Sequence, residues 1–187
     1  MSLSENLRLS RRGFVASASS LLVGSRLFGL GPLVDQTPRT APELREELTQ
    51  KELEWIQGSS MAKDLNNFFG KGLSCAESLF MVALRYMKKP EDMVWVASGF
   101  GGGMYHRNLC GFLTAGIMAI GVRTGMLDAP RKEAKEQGKE WVKSYWTWWV
   151  SQAPLHCSEI RREGTTSQTC RRLGQLAAVK AQELIVL

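Results

Sequence analysis

Four cysteines, Cys75, Cys110, Cys157 and Cys170, are the side chains of this 187-residue sequence best suited to chemistry. They stand 35, 47 and 13 residues apart, so no C-x-x-C pair exists. That spacing excludes a covalent haem attachment, a thioredoxin-type dithiol and a zinc-finger pattern. What it leaves is a site assembled from distant points of the chain. The two histidines, His106 and His156, lie close in sequence to Cys110 and Cys157. Either could ligate a metal or hydrogen-bond a sulfur, and neither has the partner of a nucleophilic triad. No general acid-base constellation stands out, which favours a carrier over a substrate-transforming enzyme.

The elements that must position these residues read as helix after helix, without a convincing run of alternating residues. An all-α fold is predicted: a single compact multi-helix bundle over 43–187, joined by a linker at 35–42 to an N-terminal export signal at 1–34. Apolar spacing places a helix over Glu43–Gln57 with Leu44, Leu48, Leu53 and Ile56 on one face. A second runs over Ser60–Phe69. The third, to Lys88, opens at Ser74, which with Glu77 has the pattern of a capping box. Glu91–Ser98 reads as a short helix, and Gly99–Gly103 as a flexible loop. Asn108 is the expected cap of a helix over Leu109–Val122, whose small residues Gly111, Ala115, Gly116, Ala119 and Gly121 mark it as buried and central. Asp128 and Pro130 open a helix that ends near Gln152. On it Trp141, Tyr145, Trp148 and Trp149 share a face and Trp146 falls outside it, as a core stripe or as part of a docking surface. The last helix runs over Gln168–Leu184 with Thr166 or Ser167 as its cap. Three of the four cysteines thus fall in first turns, where free backbone N–H groups and the helix dipole favour a thiolate.

At the N-terminus, Ser10-Arg11-Arg12-Gly13-Phe14-Val15 followed by the apolar stretch to Val23 is similar to a twin-arginine export signal. The apolar stretch is too short for a membrane span, which needs about 20 residues. No good small-x-small cleavage site follows it. The expected location is therefore the periplasm, or the outer face of the bacterial inner membrane if the signal is retained. Membrane contact is expected only in the second case. The twin-arginine translocase is an expected partner during export, and because that route carries folded proteins, a cofactor inserted beforehand is expected.

Composition is that of an ordinary globular protein, at 44% hydrophobic and 22% charged residues, which excludes a disordered, collagenous or multispan membrane chain. A chain of this length needs no staples to fold, so its cysteines are free for chemistry. The formal charge of +6 is half accounted for by residues 1–34, which hold four arginines and one acid. The weak surplus elsewhere is interspersed with acids and argues against nucleic acid as a partner.

Ser74-Cys75-Ala76-Glu77, Ala97-Ser98-Gly99-Phe100-Gly101-Gly102-Gly103-Met104 and the run from Cys110 to Gly121 together resemble the C_GCAxxG_C_C family of redox-active proteins. Cys157 and Cys170 fall where that family's last two cysteines lie. The arrangement is also similar to the iron-sulfur region of split-Soret cytochromes, without their haem motif. The sequence departs from the family at Phe112 and Ala115, where Ala and Gly are expected, and in its Trp-rich helix. The resemblance implies an iron-sulfur cluster held by Cys75, Cys110, Cys157 and Cys170, and a partner oxidoreductase with which electrons are exchanged. Zinc, or no metal with two disulfides or a thiol switch, are the alternatives; a zinc- or disulfide-stabilised chain would be a binding or accessory module docking through the Trp-rich helix. Gly101, Gly102 and Gly103 lack the phosphate-cradling pattern and are expected to let the backbone approach a cluster and offer N–H groups to its sulfurs. Arg161, Arg162, Arg171 and Arg172, near the last two cysteines, could offset the site's negative charge. A second copy of the chain is a further candidate partner.

Overall fold

A Thr-x-x-Glu pattern starts the first helix of the computed structural model, which describes residues 42–186. Thr49 accepts a hydrogen bond from the Glu52 N–H (3.3 Å), and the Glu52 carboxylate accepts one from the Thr49 N–H (2.8 Å). Helix α1 therefore spans Gln50–Gly58 and does not begin at Glu43. The same box sets its face. Glu52 is buried and Leu53, expected inward, is exposed, while Leu44 and Leu48 reach the core from non-helical backbone. The readings that fall on residues 1–41, the export signal and most of the linker, lie outside the described residues.

Ser59 ends α1 and caps α2 (Ser60–Leu65), which stops four residues earlier than the apolar pattern suggests because the chain turns through Asn66–Phe69. Helix α3 (Cys75–Tyr86) opens on the expected capping box, with the Ser74 N–H donating to Glu77 at 2.8 Å. The segment Glu91–Phe100 is wound as a 3-10 helix. Helix α4 (Gly111–Thr124) is capped by Cys110 itself and not by Asn108, whose side chain instead takes the Leu109 N–H (2.8 Å). Helix α5 (Arg131–Gln152) follows Pro130. A one-turn helix α6 (Cys157–Ile160) precedes α7 (Ser167–Ile185), which Thr166 caps as expected.

The fold is all-α: the described residues hold helices and two isolated bridges, Phe69–Leu73 and Leu109–His156, and no strand. No described helix is long and apolar enough to cross a membrane. Helix α4 is central, packing on α3, α5 and α7. Its Gly116 leaves room for the Tyr145 ring, since a Cβ there would overlap that ring, and the Tyr145 hydroxyl donates to the Phe112 carbonyl at 3.0 Å. Tyr145 and Trp149 of α5 are fully buried, Trp141 and Trp148 half-buried and Trp146 exposed, so the aromatic group is mainly a core stripe. Glu52 and Arg172 form a buried ion pair that ties α1 to α7, with Arg45 joining from the surface at 3.3 Å. Gln182 of α7 accepts from the Ser59 hydroxyl and the Met61 N–H, both at 2.9 Å, fixing the junction of α1 and α2 to the same helix.

Candidate functional site

All four cysteines stand at helix starts. Cys75 is the first residue of α3, Cys110 the cap of α4, Cys157 the first residue of α6, and Cys170 lies in the first turn of α7. Those starts converge on one cavity of about 220 Å³ lined by all four cysteines, with Phe69, Ser74, Gly102, Phe112, Ile160, Arg161 and Ser167 completing its wall. All four are free thiols, Cys110 and Cys157 buried and the other two half-buried. Among the described residues, no three His, Cys, Asp or Glu side chains meet at a single ion position. The sulfurs surround a space.

The backbone between residues 101 and 110 holds this arrangement. Gly102, Gly103, Met104 and Tyr105 all have positive φ, between 57° and 69°, and so trace a left-handed turn, and Arg107 adds a φ of 55°. Three of these residues carry side chains, for which that conformation costs about 1–2 kcal/mol each. The strain persists because the turn is pinned at several points. The Asn108 N–H donates to the Gly103 carbonyl (2.9 Å), the Cys157 N–H to the Asn108 carbonyl (2.7 Å), and the Cys110 N–H to the Leu155 carbonyl (2.8 Å). Gly103 is required twice over, by its φ of 69° and because a Cβ would lie 2.5 Å from the Asn108 carbonyl oxygen and 2.9 Å from the Cys157 Cβ. Gly111 has no room for a Cβ beneath the Cys75 sulfur.

The three glycines of this stretch stand in different surroundings. Gly102 lines the cavity and its N–H is directed at the Cys75 sulfur. Gly101 packs on the Ser74 side chain, where a Cβ would lie 2.7 Å from that of the serine, and Gly103 packs beneath Cys157. In place of the expected flexible loop stands a strained, multiply bonded turn.

The thiolate expectation needs correction. Burial pushes the Cys75 thiol above its ordinary value of 9.0, and the nearby Cys157 adds to this, although the Gly102 N–H works against it. Burial raises the Cys110 thiol further, with the Cys75 charge reinforcing it and the Phe112 and Leu113 N–H groups opposing. Cys170 is pushed up to about 11 by burial, an effect the Arg161 guanidinium offsets only in part. Desolvation therefore outweighs the helix starts. These thiols stay protonated at neutral pH unless a cation in the cavity replaces their protons.

Residues the sequence grouped together are separated in space. Of the four arginines only Arg161 lines the cavity. Arg172 turns to Glu52, and Arg171 hydrogen-bonds Asn66 (3.0 Å) and sits over the Phe69 ring. His106 is exposed and His156 pairs with Glu159 at 2.9 Å, and neither lines the cavity. Phe112, the departure from the family pattern, forms cavity wall. Its ring stacks edge-on against Phe69 at 5.2 Å and fills the space above Gly174. Sequence reasoning missed α6. The His156-x-x-Glu159 box that starts it could have revealed it, because the Glu159 carboxylate accepts the His156 N–H as in other capping boxes.

Four cysteine sulfurs in a lining without carboxylate or imidazole suit soft metals and iron-sulfur groups. A family model described as "Putative redox-active protein (C_GCAxxG_C_C)" matches residues 73–184. The chain belongs to the C_GCAxxG_C_C family. The matched span takes in all four cysteines and leaves out α1 and α2. A redox role is what the C_GCAxxG_C_C family is named for, and the lining of the cavity is chemically consistent with it. No curated protein and no solved structure matches the chain.

Proposed function

We propose that Cys75, Cys110, Cys157 and Cys170 hold an iron-sulfur cluster and that the protein exchanges single electrons with a partner oxidoreductase after export by the twin-arginine route. The observation that carries the reading is the convergence of four cysteine-bearing helix starts on one cavity. When bound, such a group supplies reversible one-electron chemistry at a potential set by its surroundings. The chain's own contribution is fourfold. Its cysteines offer four sulfur donors, Phe69, Phe112 and Ile160 keep bulk water from the wall, the Gly102 N–H is aimed at the Cys75 sulfur, and the left-handed turn holds α4 and α6 in register. Thiols held protonated by burial make poor nucleophiles, which supports ligation over a thiol switch. Trp95, Val96 and Tyr105 are exposed on the segments either side of Gly101–Gly103, which supports docking of a partner beside the cavity.

Iron, acid-labile sulfide and zinc content with a visible spectrum, on protein produced and purified without oxygen, tests this. Iron and sulfide in comparable amounts, with absorbance that bleaches on reduction, is the expected result. Zinc alone would make the cysteines structural, and metal-free protein would leave a disulfide or thiol function; either overturns the reading. Replacing Cys110 with serine should abolish the absorbance, and unchanged spectra in all four single serine variants would remove the ligand assignment. Changing Arg11 and Arg12 to lysine should block export, which cell fractionation would read.

A further inference from the structure

Arg161 occupies a position no other charged residue shares. Among the described residues it is the one charged side chain that lines the cavity, and none of their carboxylates lies within ion-pair distance of it. Its backbone is held at both ends of the site. Its N–H donates to the Cys157 carbonyl at 2.8 Å, and its carbonyl accepts from the guanidinium of Arg107 in the left-handed turn. The neighbouring Arg162 is exposed and outside the lining, and Arg171 and Arg172 are committed to other partners.

Resting on the proposed cluster, we propose that Arg161 is the residue that sets the reduction potential of the cysteine-held centre. Four thiolates make the site anionic, and each one-electron reduction adds a further negative charge without forming or breaking a covalent bond at the arginine. A fixed positive charge at the cavity wall stabilises the reduced form more than the oxidised one and so raises the potential. Removing that charge lowers it. Because Arg161 is exposed, although it lines the cavity, the effect is partly screened by salt. Arg161 acts here as a positioning charge and takes no proton or electron itself.

An anaerobic redox titration, with dithionite as reductant and dye mediators, separates this from a structural role. Arg161→Gln should titrate at a lower potential than the wild type, and the gap should narrow in about 1 M salt, where screening acts over ~3 Å. Arg161→Lys, which keeps the charge, should restore the wild-type value, and Arg162→Gln should leave it unmoved. Iron and sulfide content is measured on every variant. A fully loaded Arg161→Gln protein at the wild-type potential overturns the proposal. If Arg161→Gln loses its iron, an Arg161→Lys variant loaded and titrating as the wild type supports a role for charge, and one that also loses iron overturns it. A wild type without iron and sulfide removes the cluster first, and this inference with it.

Discussion

Two regions of the molecule use glycine against a crowded neighbour, and they differ in what surrounds it. On the α4–α5 wall, Gly116 and Gly138 sit in regular helix and simply admit Tyr145 and Thr124. Around the cavity, Gly102 and Gly103 begin a left-handed turn that continues through Met104 and Tyr105, residues that would relax elsewhere. The wall is close packing in ordinary conformations. The rim is strained backbone, held by hydrogen bonds from the Asn108 N–H to Gly103 and from the Cys157 N–H to Asn108. Strain of this kind tends to gather at functional sites, because only surroundings that over-determine the chain can hold it. In this molecule it gathers where the cysteines meet.

Substitutions can break that contrast or sharpen it. The largest effect is expected on the packed side. Glu52→Gln leaves Arg172 buried without its counter-charge and should lower stability by about 3–5 kcal/mol, read by denaturant unfolding. The same residue gives the fold a pH dependence. Burial works to raise the Glu52 carboxyl, but hydrogen bonds from Arg172 and Thr49 and the Arg172 charge outweigh it and hold the group below its ordinary value of 4.5. Its contribution is therefore fully present above pH 4.5 and lost as pH falls through the lower folded value. Wild-type stability should fall on that acid limb, and the Glu52→Gln protein should show a flatter one.

Gly103→Ala, on the rim, combines a disfavoured φ with a clash against immovable backbone and should lower stability by about 3 kcal/mol. It should also displace Cys157, so that, on the proposed cluster reading, iron content should fall with it. Gly116→Ala should cost about 2 kcal/mol through overpacking against Tyr145 but leave iron content unchanged. Equal loss of iron in both variants would erase the distinction between wall and rim. The smallest effect is a gain: Met104→Gly relieves a positive φ and should stabilise the protein by about 1 kcal/mol or less, read as a raised Tm.

Local signals made much of this legible. The Ser74 box and the Thr166 cap fixed two helix starts, because each pairs a side chain with backbone groups at most three residues away. The small residues of α4 marked it as central, because only close approach of neighbours offsets their low helicity. Where local signals competed, apolar spacing misled. It ran the first helix back to Glu43, while the Thr49–Glu52 box starts it at Gln50. Asn108 is a good cap by type, yet its carbonyl is committed to Cys157 and Cys110 caps α4.

By itself, then, the sequence determined an all-α chain with three of its four cysteines near helix starts and a family membership carried by the motifs around them. Only the tertiary structure decided that those starts and that of Cys157 face one cavity, that burial and not the helix ends governs the Cys75, Cys110 and Cys170 thiols, and that one arginine of four lines the wall. The physical reason is one of range. Caps, turns and helical faces depend on neighbours within about one turn, which the order of residues states directly. The directions of Arg161, Arg162, Arg171 and Arg172 depend on helix rotation and on partners as distant as Glu52, 120 residues away, which that order leaves open.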